Sequence, residues 1–452
     1  MSFPSYPAYK DSGVAWLGDV PSHWAVKRLR RAVQLNPSKS ETAALSRSEE
    51  VTFLPMEAIG EDGSLVLDRL RPIGELESGY TYFAEGDVAI AKITPCFENG
   101  KGAVMRDLHG GLGFGTTELI VARPLPKHLD SGYLHRIFTS RPFMQQGEAS
   151  MYGAGGQKRV PDDFVRDFAI ALPPVDEQVV INAFLDRETA KIDALVAEQE
   201  QLITLLKEKR QAVISHAVTK GLDPSVPMKD SGVEWLGEVP AHWEVTHLKR
   251  RCSLITDGAH ISPETEGGVH LFVSTKDISD DGIDFDGALR TSPASYEYMV
   301  KTGCQPTSGD VLFSKDGTIG RTVVVNGATE FVVASSLIVI RPIPDQLNSD
   351  FLNALCQSWV VSQQVDGFVK GAGLPRLSIQ NLLKVIGVFP PIDEQVQIAS
   401  YLSDLDLRSR TLALEAERTV TLLKERRSAL ISAAVTGQID VRGLAPAQAQ
   451  AT

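Results

Sequence analysis

The chain has 452 residues, 43% of them hydrophobic and 23% charged, and a net charge of −12. That length exceeds one ordinary domain and fits about two to four, and the composition excludes a disordered chain. No stretch reaches the uncharged apolar length that a membrane span needs, and the acidic balance leaves no chain-wide basic footprint of the kind nucleic-acid binders carry.

The opening segment, MSFPSYPAYKDSG, lacks the basic-then-apolar layout of a secretory signal. The block KDSGVAWLGDVPSHWAV follows from Lys10. Its His23 and Trp24 are framed by Leu-Gly and Pro, which reads as a packed corner and not as a catalytic pair. Beyond it, apolar runs at 88–93 and 119–122, bounded by Gly, Pro and Asp-Gly turns, predict strands with loops, and 133–146 predicts a helix. The Gly-rich segment MYGAGGQKR leads to PPVDEQVVI at Pro173.

Residues 176–219 then contain no Pro or Gly and are mainly good helix formers. The helix is expected to span about 44 residues, or roughly 66 Å. Leu185, Ile192, Leu195, Leu202, Leu206 and Val213 make a seam, interrupted at Glu188, Gln199 and Lys209. Pro173-Pro174 marks its start, Asp176 and Glu177 read as helix-start charges, and Gly221 suits its end.

The whole order then repeats. KDSGVEWLGEVPAHWEV begins at Lys229, with His242 and Trp243 in the same frame. Strands are predicted at 311–314, 322–325 and 336–340 and a helix at 349–364, followed by FVKGAGLPR, by PPIDEQVQI at Pro390 and by a second long helix. Asp393 and Glu394 open that helix and Gly437 closes it; its seam is Leu402, Leu405, Leu412, Leu423 and Leu430, with Ser409, Ala416, Thr419 and Arg426 interspersed. LLKEKRQAVISHAVT from Leu205 recurs as LLKERRSALISAAVT from Leu422, and the tail APAQAQAT reads as disordered. Two helices of equal length with matched seams predict an antiparallel pair. The four cysteines (Cys96, Cys252, Cys304, Cys356) show no CxxC spacing, so they read as buried thiols in a reducing, cytoplasmic compartment.

Between the matched blocks the halves share only fragments. Gly86-Asp87-Val88 with Lys92 recurs as Gly309-Asp310-Val311 with Lys315, LIVARPLP after Glu118 as LIVIRPIP after Ser336, and Gly156 with Arg159 as Gly373 with Arg376. One scaffold therefore carries two divergent mixed α and β inserts, the construction expected of a protein that reads two different things.

The ordered double set of WLG(D/E)VP-x-HW blocks, PP(V/I)DEQ, LLKE(K/R)R helices and the insert segments GDVAIAKITPCFENGKGAV and GDVLFSKDGTIGRTVVV resembles the specificity subunits of type I restriction–modification systems over residues 10 to 440. The resemblance implies an α+β fold: two mixed α/β target-recognition domains in a pseudo-twofold arrangement, joined by two long antiparallel helices that form a coiled-coil spacer. The expected divisions are 1–172 and 223–389 for the recognition domains with their linkers, 173–222 and 390–440 for the spacer helices, and 441–452 for the tail. Each insert is then expected to read one half of a split site on double-stranded DNA, while the spacer sets the gap and docks two methyltransferase subunits. The resemblance places S-adenosylmethionine, ATP and magnesium on the methyltransferase and ATP-dependent restriction subunits, with no cofactor, metal or catalytic residue in this chain and no membrane partner.

Candidate DNA contacts follow from residue chemistry. Lys92, Thr94, Asn99 and Lys101 lie on one predicted hairpin loop, and Lys315, Asp316, Thr318 and Arg321 on its counterpart. Asn can pair bidentately with adenine and Arg with guanine, and Asp can accept from cytosine. Lys158, Arg159, Lys370 and Arg376 sit on the Gly-rich loops, where backbone can approach phosphates closely; solvated hairpin tips and plain turns are the alternatives. The net charge predicts weak DNA binding by the free chain, with partners supplying much of the phosphate grip.

Other functions fare worse. A DNA methyltransferase needs a [DNS]PP[YFW] loop, and LPPV and FPPI do not fit; no lysine follows Asp or Glu in the D/E-x-K spacing of nucleases, and no P-loop, HExxH or GxSxG occurs. A coiled-coil structural adaptor leaves the inserts without a role, and an orphan DNA-binding protein without restriction partners stands as the other alternative.

Overall fold

The computed structural model describes residues 3–154, 156–261, 263–279, 282–369 and 376–444. The fold is α+β, with two compact units: Met1–Gln199 with Arg418–Thr452, and Glu200–Glu417. The division falls inside the two long helices, Val175–Lys220 and Ile392–Val435, so each unit holds one insert and part of both helices.

In the first unit, Val33–Leu35, Leu119–Pro124, Val88–Ala91 and Gly102–Val104 form an antiparallel sheet in that order. Its central strands are apolar at consecutive positions because both faces are covered. Val88, Ile90, Ile120 and Ala122 pack in the core with helical residues, while Ala89, Leu119 and Val121 pack on the other side with Leu54 and Phe83 of a second sheet. That second sheet runs Leu70–Pro72, Glu50–Leu54, Leu112–Gly115, Thr81–Ala84, with Phe114 and Phe53 paired in parallel. The second unit repeats the design with Cys252–Asp257, Leu337–Pro342, Val311–Ser314 and Thr322–Val324. Its second sheet has Leu289–Thr291, His270–Val273 and Phe331–Val333, and among the described residues the fourth strand has no counterpart.

Two of the fragments shared by the inserts, Gly-Asp-Val and Arg-Pro, are the two sides of one ion pair in each unit. Asp87 accepts from Arg123 Nε at 2.6 Å and Nη2 at 2.9 Å, and from the Ala84 N–H at 2.8 Å. Asp310 accepts from Arg341 Nε at 2.8 Å and Nη2 at 2.7 Å, and from the Thr307 N–H at 2.7 Å. The Gly-Asp-Val and Arg-Pro motifs thus lock neighbouring strands in register.

The helix expected at 133–146 is two helices, Ser131–Phe138 and Arg141–Ser150, and that at 349–364 is Ser349–Gln357 and Trp359–Phe368. Buried Ser140 and Ser358 adopt extended backbone at each break, and their hydroxyls bond back to Ile137 and Leu355 carbonyls at 2.6 Å. Asp130 caps one first helix and Asn348 the other, the side chains accepting from backbone N–H groups of the first turn.

The DEQ carboxylates are more than helix-start charges. Glu177 is buried and accepts from Tyr6 Oη at 2.8 Å, Trp24 Nε1 at 3.1 Å and His23 Nε2 at 2.8 Å. Glu394 accepts from His242 Nε2 at 2.8 Å and Trp243 Nε1 at 3.1 Å. Gln178 donates to the Pro173 carbonyl and accepts from the Asp130 N–H, and Gln395 does the same with Pro390 and Asn348. The two distant motifs of each half therefore meet in one corner. Gly437 and Gly221 take left-handed φ of +75° and +80° there, with a Cβ at Gly437 falling 2.3 Å from Pro21.

The leucine seams differ from the sequence reading. Leu185 and Ile192 are buried, but Leu195, Leu202 and Leu412 are exposed. Gln199, Ser409 and Ala416, read as interruptions, lie on the covered face instead. In the first unit Leu185, Ile192 and Val196 pack in one core with Leu423 and Leu430, and Asp193 bonds Arg427 Nε at 2.8 Å. In the second unit Val213 and Ile214 pack with Ile398, Leu402 and Leu405, and Arg210 Nε meets Asp406 at 2.5 Å.

The cysteines are free, as the sequence reading expects, but only Cys304 and Cys356 are buried, and Cys96 and Cys252 are half-exposed. No helix among the described residues is long and apolar enough to cross a membrane.

His135 gives the first unit a pH dependence. Its ring packs against Gly63, Nε2 donates to the Gly102 carbonyl at 3.1 Å, and desolvation, then Arg136, lowers its pKa to about 4. The unfolded chain, with an ordinary value near 6.5, takes up the proton first as pH falls, so stability is lost from about pH 6.5 down to about 4 and not further below. The loss at pH 4.5 is expected to be about 2 kcal/mol, allowing for the part of the residue that solvent still reaches. His135→Asn, matching Asn353 at the corresponding place in the second unit, removes that portion of the pH dependence in urea unfolding at pH 7 and 4.5. An equal decline in both proteins would assign the effect elsewhere.

Candidate nucleic-acid interface

The hairpin loop of the first unit meets the end of its Gly-rich segment, and that of the second meets Arg376 and Leu377, residues far apart in sequence. Ile93 and Arg159 form a backbone bridge in the first unit, with Thr94 N–H bonding the Lys158 carbonyl at 3.0 Å and Val160 N–H the Lys92 carbonyl at 2.8 Å. Asp316 and Arg376 form the bridge in the second, with Leu377 N–H bonding the Lys315 carbonyl at 2.9 Å. The adjoining strands Val88–Ala91 and Val311–Ser314 fix both loops to the central sheets.

Both bridge arginines are held by a carboxylate, supplied from different places. Arg159 meets Glu118 through Nε at 2.9 Å and Nη2 at 2.8 Å, and this contact, with Lys92 nearby, holds the Glu118 carboxyl below its usual range. Arg376 Nε lies 2.9 Å from Asp316 Oδ1. A guanidinium already engaged in its plane is a brace for the loop before it is a free phosphate ligand.

The remaining expected contacts divide by what they touch. Lys158 is exposed with no side-chain partner, and Lys92 is half-buried without an ion pair. Thr94 Oγ1 bonds the Lys158 carbonyl at 3.3 Å. Asn99 leans away to Glu61 at 2.8 Å and Lys101 Nζ to the Met56 carbonyl at 3.3 Å, both on the second-sheet side. Thr318 is exposed, and Arg321 Nη1 bonds the Ile278 carbonyl at 2.9 Å. Lys315 corrects the sequence reading: it is only 3% exposed and its ammonium is bound by Asp257, so burial and pairing leave it nothing to offer a base. Lys370 lies outside the described residues.

Two features escaped the sequence. Tyr152, 63% exposed, forms a second backbone bridge to Arg159. Glu118 stands just before LIVARP, but its link to Arg159 carries no local signal, since the second unit replaces it with Asp316 from another segment. Among the described residues no group of three or more His, Cys, Asp or Glu is placed to hold a metal ion.

Residues 244–422 match the family model of the type I restriction modification DNA specificity domain. The specificity subunits of the type I restriction enzymes EcoEI and EcoAI, both from Escherichia coli, are 37% and 38% identical over 196 and 197 residues, each match covering 43% of this chain. The chain is similar to type I specificity subunits over these stretches. It spans 32% of the length of each of these two relatives. The specificity subunit of the type I restriction enzyme MjaVIII, from Methanocaldococcus jannaschii, matches more broadly at 22% identity, over 74% of this chain and 76% of that one. In fold, the chain is similar to a chain from a structure of type I restriction–modification complex assembly and conformational transition, with a TM-score of 0.73 at 19% identity, covering 92% of this chain and 98% of the other. An HsdS subunit from Thermoanaerobacter tengcongensis aligns with a TM-score of 0.53 at 20% identity over 92% of this chain and 98% of that one.

Proposed function

We propose that the chain recognises a bipartite site on double-stranded DNA for a type I restriction–modification complex, each insert reading one half. The observation that carries this reading is the recurrence of one loop pair on one sheet, braced the same way but lined by different residues: Lys92, Thr94 and Lys158 in the first unit, and Asp316, Thr318 and Arg376 in the second. The two recognition domains lie in 1–172 and 223–389, and the stretches 173–222 and 390–440 pair antiparallel as a coiled-coil spacer. The contacts of Asp193 with Arg427 and of Arg210 with Asp406 support that pairing. The spacer docks two methyltransferase subunits, and the chemistry, with S-adenosylmethionine, ATP and magnesium, resides on the methyltransferase and restriction subunits. The complex works in the cytoplasm.

The test is exchange of residues 32–172 for the corresponding insert of a relative, in a complex assembled with methyltransferase subunits and S-adenosylmethionine. Mapping of methylated sites is expected to show one half-site changed and the other intact. Simultaneous change of both halves, or methyl transfer by the chain without partners, would sink the reading.

A further inference from the structure

The turns that follow the first strand of each insert differ in one register position. In the first unit Ala25–Arg28 pairs with Ala169–Leu172, Arg28 opposite Ala169, and the ladder continues with the Leu29 N–H bonding the Phe168 carbonyl at 2.9 Å. One step further, Arg30 faces Asp167, and their side chains meet at 3.1 Å. In the second unit Glu244–His247 pairs with Ile386–Phe389, His247 opposite Ile386, and the Leu248 N–H bonds the Val385 carbonyl at 2.9 Å. One step beyond these pairs stand Lys249, in the helical turn Leu248–Arg251, and Lys384, in the turn after Ile379–Leu382. Counted from the matched blocks, Lys249 stands where Arg30 does and Lys384 where Asp167 does.

The first unit shows that this backbone accepts a carboxylate at the position of Lys384. Fold stability therefore does not account for Lys384. Arg250 adds a third exposed cation beside Lys249, and Arg251 is already taken by Glu244. Among the described residues no ion pair engages Lys249, Arg250 or Lys384, and Lys384 donates only to Asn381 Oδ1 at 3.1 Å. In a chain of net charge −12, three unneutralised cations on two bonded segments form a local anion-attracting surface. The short helix Ile379–Leu382 joins this patch to Arg376, so it borders the loop bridge of the same unit.

We propose that Lys249, Arg250 and Lys384 grip the DNA phosphate backbone flanking the half-site read by the second unit. The inference rests on the DNA-recognition reading above.

The test is fluorescence anisotropy of a labelled mixed-sequence duplex with the full chain across a sodium chloride series starting at low salt. A triple variant, K249Q/R250Q/K384Q, is expected to bind about tenfold or more weakly and to lower the slope of log affinity against log salt by about two to three, at about 0.9 per phosphate contact. Lys384→Asp, which rebuilds the first unit's ion pair, is expected to weaken binding while leaving the melting temperature equal or higher, a split that a structural role would not give. Asp167→Lys is expected to tighten binding and steepen the slope by about one. A triple variant with unchanged affinity and slope would overturn the proposal. So would normal duplex binding combined with failure to assemble with added methyltransferase subunits, which would give the patch to a protein partner. Absence of duplex binding at every salt concentration by both the unsubstituted chain and its complex with methyltransferase subunits would instead overturn the DNA-recognition reading, and the patch with it.

Discussion

Glu177→Ala is expected to destabilise the first unit by about 3–5 kcal/mol, because it orphans two buried donors at once, each costing about 1–3 kcal/mol. Trp24 Nε1–H and the Tyr6 hydroxyl both end on Glu177 in the corner where the N-terminal block meets the first long helix. Trp24 is fully enclosed, so water cannot replace the lost acceptor without opening the core. The matching Glu394→Ala is expected to cost less, about 1–2 kcal/mol, because Glu394 is 27% exposed and no tyrosine donates to it. Glu177→Gln, which keeps an acceptor oxygen, is expected to fall between wild type and Glu177→Ala. Urea unfolding followed by tryptophan fluorescence measures the losses, and hydrogen exchange assigns each to its unit. Equal losses at the two corners would show that neither the Tyr6 bond nor the depth of burial matters.

Lengthening the spacer by one heptad is expected to widen the recognised gap by one to three base pairs and leave both half-sites unchanged. Seven residues add about 10.5 Å of helix, which is at most three base pairs at about 3.4 Å each, and bending in the complex absorbs part of it. The contact of Asp193 with Arg427 shows that insertion in the first helix alone would leave its partner short. The insertions therefore belong near Ala197 and, in the second helix, near Thr421. Seven residues preserve the pattern of covered positions at Val196, Gln199, Ile203 and Leu206. Two residues in each helix would rotate that face away and are expected to abolish assembly. Methylated-site sequencing of the complex decides the matter, since an unchanged gap or altered half-site sequences would show that the helices do not set the spacing.

Much of this was legible without coordinates because its causes are local. A run such as LIVARP or LIVIRP declares a strand covered on both faces, and a long stretch free of Pro and Gly declares a helix. The double order of the blocks declared two copies of one design and, with it, the resemblance to type I specificity subunits. Residues of the first insert's candidate loop were legible only as a type: polar side chains on a turn, with nothing to say which would be spent inside the protein.

Tertiary structure decided which of those residues are spent. Lys92 and Lys315 occupy the same motif position, yet Asp257, a strand away, buries and neutralises only the second. Helical periodicity could not choose among leucines three and four apart, because the covered face is set by the partner helix; Leu195 and Leu202 therefore face water while Gln199 is covered. Ser358 breaks a helix that propensity would continue, its buried hydroxyl bonding the preceding turn, whereas at Ser140 the same bond acts together with Pro142 in the next helix's first turn. The meeting of Arg30 with Asp167 exists only because strand pairing joins segments distant in the chain. Composition and period act along the chain and can be read there. Charge neutralisation and burial act through space, between residues whose separation in sequence says nothing about their distance.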